Sequence, residues 1–202
     1  KARGVVANVQ PAFVPTDMKW VSERIHPSRQ AFAYAWRSLL QEDIVVAGGS
    51  DAPVEPCSPL LGMHDAIFRT ARPPDRTIYR PEECLSFAEA LWMYTVGGAL
   101  AAQCEDVLGK LRVGYAADVV MLPAAVLTQP TLLKTASPTL VIVGGRVMQR
   151  ATPPSMATTM HTQAEERVTP GLFVPGKNGA RPSNRFRCAC VLEGKAYLCS
   201  GL

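Results

Sequence analysis

The sequence has no unbroken run of 18 apolar residues, so no segment reads as a membrane-spanning helix. Its opening stretch, "KARGVVANVQPAF", has no long apolar core of the kind a secretory signal needs. Its first residue is Lys1, not methionine, and the expectation is a processed or missing end. Histidine is scarce: His26, His64 and His161 stand far apart, and no His-x-His pair exists. The cysteines at 57, 84, 104, 188, 190 and 199 include no C-x-x-C and do not space like a disulfide framework. A reducing, cytoplasmic location is therefore the expectation. Charge of one sign does not dominate either. The net charge of +4 is mild and does not demand nucleic acid. Lys177, Arg181, Arg185 and Arg187 make the tail locally basic, but Phe186 is the one aromatic among them, a weak nucleic-acid signal.

What is present suits a globular chain: 202 residues, 48% hydrophobic, suffice for one or two domains with a sizeable core. Residues 5–13, "VVANVQPAF", read as a short buried strand closing on Gln10-Pro11. Residues 29–41 carry Phe32, Trp36, Leu39 and Leu40 at offsets of three and four, which predicts an amphipathic helix with Ser28 as its N-cap. A strand over 44–48 follows. Strand, helix, strand is a βαβ unit, whose two strands should be adjacent and parallel. Residues 62–70 read as a short helix on Met63 and Ile67, and the proline-rich 71–83 as loop. Ser86 and Glu89 form the S-x-x-E capping box of another helix. Gly97-Gly98 in that helix predicts close packing or a break.

Beyond Gly109 the period changes. Short apolar runs flank Gly114 and Gly144-Gly145, the latter a hairpin signal. Residues 109–122 and 138–150 should pair in one small sheet. From 151 the composition turns to Thr, Pro, Gly, Arg and Asn; 151–185 is expected to lack regular structure, with an isolated hairpin in 185–202.

One stretch poses a chemical question. In "AGGSDAPVEPCSPL", residues 47–60, a hydrophobic strand ends on glycines and then presents Asp51. Glycine in a strand often marks the close approach of another backbone or a ligand. A carboxylate at the C-terminal end of an α/β strand sits where such folds place chemistry. The plainer reading is that Asp51 opens a turn, as Asp-x-Pro segments do.

Taken in order, "NVQPAFVPTDMKW", "YAWRSLL", "VVAGGSDAPVEPCSPLLGMHDAIFR", "LSFAEALWMYTVGGALAA", "LGKLRVGYAADVVML" and "PTLVIVGGRVM" resemble the C-terminal part of family-3 amidohydrolases, over about residues 5–149. The resemblance implies an α/β fold: a C-terminal fragment of a (β/α)8 TIM-type barrel over 1–108, part of a small β-sandwich over 109–150, and a disordered tail over 151–202. Residues 5–13 would be the seventh barrel strand and 44–50 the eighth. It also implies a metal-dependent hydrolase of carbon–nitrogen bonds in N-acyl or N-formyl compounds. The metal would be divalent, zinc, held in the complete enzyme by an early His-x-His, later histidines and a bridging group. Asp51 falls on the family's last aspartate, a metal contact and the proton shuttle for the attacking water. On this reading the glycines let the strand end approach the site. Gln10 would face the site and contact substrate, although satisfying a buried loop is its more common use.

The first six strands and the His-x-His are not in this sequence, and a zinc site takes three or four ligands. The chain alone is therefore expected to bind no metal and to hydrolyse nothing, needing the missing N-terminal half. Each histidine reads as a surface residue, Arg37 as a solvated helix charge, Glu55 as a loop-positioning acid and Asp118 as a structural acid. The partners expected are a small-molecule amide and no membrane, with nucleic acid disfavoured. Two other classes compete: a catalytically silent remnant acting as an interaction protein, and a nucleic-acid-binding tail carried on it.

Overall fold

The computed structural model describes residues 3–150, 190–192 and 195–196. Its first half is built on two short parallel strands, β1 (Ala7–Val9) and β2 (Val46–Gly48), paired Ala7 to Val46, Asn8 to Ala47 and Val9 to Gly48. The Ala7 amide donates to Val45 at 2.8 Å and the Gly49 amide to Val9 at 2.8 Å. The predicted parallel βαβ unit is present. Alternation sorts the faces: Ala7, Val9 and the fully buried Val46 pack on the core, while Asn8 is exposed.

The first strand is shorter than 5–13. The Gln10 carbonyl accepts from the Phe13 amide at 3.1 Å and a helix, α1 (Phe13–Arg24), begins there. Its apolar stripe is Val14, Met18 and Val21. Pro15 sits in its first turn, where a proline forfeits only an amide that has no intrahelical partner.

The helix predicted over 29–41 is two pieces, α2 (Pro27–Gln30) and α3 (Trp36–Gln41). His26, not Ser28, caps the first, its Nδ1 accepting from the Ser28 amide at 3.3 Å. Between them Tyr34 adopts φ +52°. Its hydroxyl donates to Asp17 at 2.8 Å, and Arg80 reaches the Ala33 carbonyl at 2.8 Å. The break turns Trp36 into the core and leaves Phe32, placed on the apolar face by spacing, 79% exposed.

Helix α4 (Pro59–Phe68) starts earlier than expected because Ser58 caps it, accepting from the Leu61 amide at 3.3 Å, with Pro59 at the first position. It carries a correction: His64 is buried, not on the surface. Its Nδ1 lies 3.1 Å from Asp65 and its ring stacks on Phe68. Asp65, 1% exposed, also receives both arms of Arg72 at 3.2 and 2.8 Å. Arg72→Met is expected to lower stability by about 1–3 kcal/mol, the cost of a buried acceptor losing its donors. A fall in melting temperature checks this; an unchanged one would show that water entering beside the partly exposed arginine replaces the fork.

After a loop with a 3-10 turn at Pro81–Glu83 comes α5 (Phe87–Trp92). Its capping box closes as read: Ser86 amide to Glu89 at 2.7 Å, Glu89 amide to Ser86 at 3.2 Å. Residues Met93–Gly97 form a π-helical segment that runs on into α6 (Gly98–Ala101).

The second half is a sheet of β3 (Val119–Leu122), β4 (Leu140–Val143), β5 (Arg146–Arg150), β6 (Cys190–Leu192) and β7 (Lys195–Ala196), in the order β5-β4-β3-β6-β7. The β4–β5 hairpin turns at Gly144 and Gly145, φ +56° and +78°, the left-handed pair that a two-residue hairpin turn requires. Asp118, buried, accepts from the Gly144 amide at 2.6 Å, so its structural reading holds. Of the two runs expected around Gly114, only the second is a strand; Val113 is fully exposed. The hairpin expected to stand alone near the chain end has β6 parallel to β3. Among the described residues this unit is one sheet, without the second layer of a sandwich; the expectations for 151–189 fall on residues outside them.

One apolar cluster joins the halves, running from Val14 and Val46 through Met63 and Met93 to Leu122 and Leu133. Among the described residues no helix is long and apolar enough to cross a membrane.

Candidate functional site

The site is assembled where β1 and β2 end side by side. Beyond Gly48 the chain keeps one more ladder bond, from the Gly49 amide to Val9, and then leaves the sheet. Asp51 follows at φ +56°, a conformation that Asp tolerates better than most residues. Its carbonyl accepts from the Val54 amide at 2.9 Å. It therefore opens a turn, and its side chain also stands exposed beyond the strand's C-terminal end. The turn and site readings are compatible. Among the described residues no hydrogen bond or ion pair engages its carboxylate. Glu55 is tied back to α1 by the Thr16 hydroxyl at 3.1 Å, which makes it the loop-positioning acid that the sequence suggested.

The two glycines have different duties. A Cβ on Gly48 would lie 2.7 Å from the Tyr94 ring; its absence makes room for that ring. A Cβ on Gly49 would meet its nearest atom, Asn8 Oδ1, at 3.6 Å, an ordinary contact. Packing thus requires the first glycine and tolerates a side chain at the second. The strand end comes close to a tyrosine from the π-helical segment between α5 and α6.

Gln10 is half-buried and lines an open cleft of about 260 Å³ with Asn8, Tyr34 and Trp36. Gln10 and Asp51 lie at the ends of paired strands but share no hydrogen bond. Asn8 was not singled out from the sequence. It projects from the face of β1 opposite the core, in register with Ala47. The signal was there: one polar residue in the middle of an apolar strand.

The other candidates scatter. Arg37 is exposed and reaches the Cys84 carbonyl at 3.1 Å, not a carboxylate at the site. His26 is a helix cap, and His64 is engaged by Asp65. His161, Cys188, Cys199 and the basic tail residues lie outside the described residues. Cys190 is placed only as a strand residue of β6.

Two buried side chains have shifted protonation equilibria. Burial, reinforced by the charge of Asp65, raises the Tyr94 hydroxyl above its usual range. Arg69, wholly buried at the end of α4, donates from Nε to the Tyr79 carbonyl at 2.7 Å and lies 4.9 Å over the Trp36 ring. Burial lowers its pKa to about 10.

A divalent metal does not fit the described residues by themselves. Among them no three His, Cys, Asp or Glu side chains gather into a possible metal cluster. Asp51 supplies one carboxylate where zinc takes three or four protein ligands.

Comparison with known proteins adds what geometry does not. The model of a family described as "Amidohydrolase family" matches residues 1–149. "Putative amidohydrolase YtcJ" of Bacillus subtilis (strain 168) is 40% identical over 119 residues, 58% of this chain and 22% of that protein. "Protein LONG AFTER FAR-RED 3" of Arabidopsis thaliana is 34% identical over 119 residues, 58% of this chain and 20% of that one. The crystal structure of an uncharacterized metal-dependent hydrolase from Pyrococcus horikoshii OT3 superposes with a TM-score of 0.50 at 29% identity, covering 56% of this chain and 23% of the other. The chain spans about a fifth of the length of the curated relatives it matches.

Proposed function

The chain belongs to the amidohydrolase family, and on that premise we propose that the full-length protein is a metal-dependent hydrolase of carbon–nitrogen bonds other than peptide bonds, with Asp51 as its proton-transfer group. The observation that carries this reading is the place of Asp51: exposed, uncommitted and just past the C-terminal end of a strand in a parallel pair. In α/β folds that end of the sheet is where reacting groups collect. The likeness to a metal-dependent hydrolase supports the metal. Asp51 would be one of its contacts, and the remaining ligands of a zinc set would come from outside the described residues.

The residues at hand do the following. Asp51 accepts a proton from the water that attacks the amide carbonyl. It then delivers that proton to the leaving nitrogen, so that the products part as a carboxylic acid and an amine. Gln10 offers an amide that can donate to the substrate carbonyl and accept from its N–H. The substrate is a small N-acyl or N-formyl compound.

The test is hydrolysis of a panel of N-acyl and N-formyl amino acids by the full-length protein, before and after dialysis against a chelator and again after zinc is restored. Turnover that disappears with the metal and returns with it is the expected result. Full turnover in protein shown to be metal-free, or hydrolysis of esters with no amide cleaved, would overturn the reading.

A further inference from the structure

Tyr94 lies on the π-helical segment between α5 and α6, and three contacts fix its ring. A Cβ on Gly48 would lie 2.7 Å from the ring, and one on Gly62 of α4 would lie 1.8 Å from its hydroxyl. Glycine at both positions is thus a condition for the ring to occupy this slot. The hydroxyl points to the Gly49 carbonyl at 3.4 Å. One aromatic side chain therefore fills the space between the last residue of β2 and the helix that follows the Asp51 loop.

This arrangement bears on a mechanical weakness. Strand β2 is three residues long, and Gly48-Gly49 gives its end more conformational freedom than any other residue pair would. The ladder bond from Gly49 to Val9 holds one side of that end. The hydrogen bond from the Val54 amide to Asp51 is internal to the turn, and the loop is next held to the helices at Glu55, by Thr16 of α1. A rigid ring wedged against the Cα atoms of residues 48 and 62 fixes where the strand end itself sits over the helices.

We infer that Tyr94 is the positioning residue for Asp51: its ring, seated between Gly48 and Gly62 with its hydroxyl toward the Gly49 carbonyl, sets the strand end from which the carboxylate is presented. The inference rests on the role proposed for Asp51 above. A misplacement of about 1 Å in a reacting group can cost on the order of 10²-fold in rate, so the wedge acts on kcat more than on KM.

The test compares the full-length protein with Tyr94→Leu and Tyr94→Phe, by hydrogen exchange of the Gly49 and Val54 amides and by kcat and KM on the best substrate of the panel. Tyr94→Leu removes the ring. It is expected to speed exchange at both amides about tenfold or more, as local opening becomes easier. Exchange in 140–150 should stay unchanged, and kcat should fall by about 10²-fold with KM nearly constant. Tyr94→Phe keeps the wedge and loses only a long hydroxyl contact, so it should stay within about twofold of wild type in exchange and kcat. Unchanged exchange in Tyr94→Leu overturns the inference. So does faster exchange with unchanged kcat. Asp51→Asn then locates the fault: if it too is fully active the error lies in the role of Asp51, and if it is inactive the error lies with Tyr94. Should Tyr94→Leu lose its native circular dichroism, Gly62→Ala replaces it, displacing the ring from the other side. Adding Tyr94→Phe to Gly62→Ala removes the closest clashing atom. Partial recovery of Gly49 protection supports the wedge; no recovery counts against it.

Discussion

Asp51→Asn in the full-length protein is expected to lower kcat by about 10²–10⁴-fold, the usual effect of removing a general acid–base group. Asparagine is the right probe because of the backbone. Residue 51 sits at φ +56°, where alanine would add roughly 1–2 kcal/mol of strain and confuse geometry with chemistry. Asparagine visits that region readily and keeps the size of the side chain. It can hydrogen-bond, but it cannot take a proton and give it back. The turn closed by the Val54 amide should therefore survive, and circular dichroism and thermal melting should match wild type. Bound metal is measured on both proteins, because loss of a metal contact would add to the fall in rate. Full activity in Asp51→Asn, with the fold intact, would return Asp51 to the role of a turn residue and remove the proposed mechanism.

How much of this was legible in the sequence depended on how local the cause was. The capping box of Ser86 and Glu89 lies within four residues and reads directly. The Gly144-Gly145 hairpin turn reads directly for the same reason. The parallel pairing of β1 with β2 followed from element order, since a strand–helix–strand unit has few ways to close. What failed was decided by distant partners. The break at Tyr34 depends on Asp17 and Arg80, one before it and one far after it, and helical spacing in 29–41 carries no trace of either. His64 is the exception: Asp65, Phe68 and Arg72 all lie within eight positions of it, but a lone histidine in a helix carries no mark of which face the core covers. At the site, Asp51 was visible as a carboxylate after a strand. The reason for Gly48 was not, because the tyrosine that occupies the vacated space lies 46 positions further along.

The same logic makes opposite demands on the adjacent glycines of "TVGGAL", and substituting each by alanine should separate them. A Cβ on Gly97 would lie 2.2 Å from the Val46 carbonyl oxygen, and 3.2 Å from the Trp92 ring. The oxygen belongs to the backbone of a fully buried strand residue and cannot rotate away. Gly97→Ala must therefore push the helix off β2, at a cost of about 3 kcal/mol, the upper part of the range for overpacking. A Cβ on Gly98 would meet nothing within 4 Å, and Gly98 already has helical angles, φ −63° and ψ −39°. Gly98→Ala should instead stabilise by about 0.5–1 kcal/mol, because alanine loses less backbone freedom on entering a helix. Melting temperatures of the two variants should move in opposite directions from wild type, Gly97→Ala strongly down and Gly98→Ala modestly up. The consequence reaches the site, since the π-helical segment that brings Gly97 onto Val46 also brings Tyr94 onto Gly48. Moving the helix away moves the wedge, so Gly97→Ala should also speed exchange at the Gly49 amide, while Gly98→Ala leaves it alone. Equal shifts in melting temperature for the two variants would mean that the close approach of helix and strand is not what selects glycine at position 97.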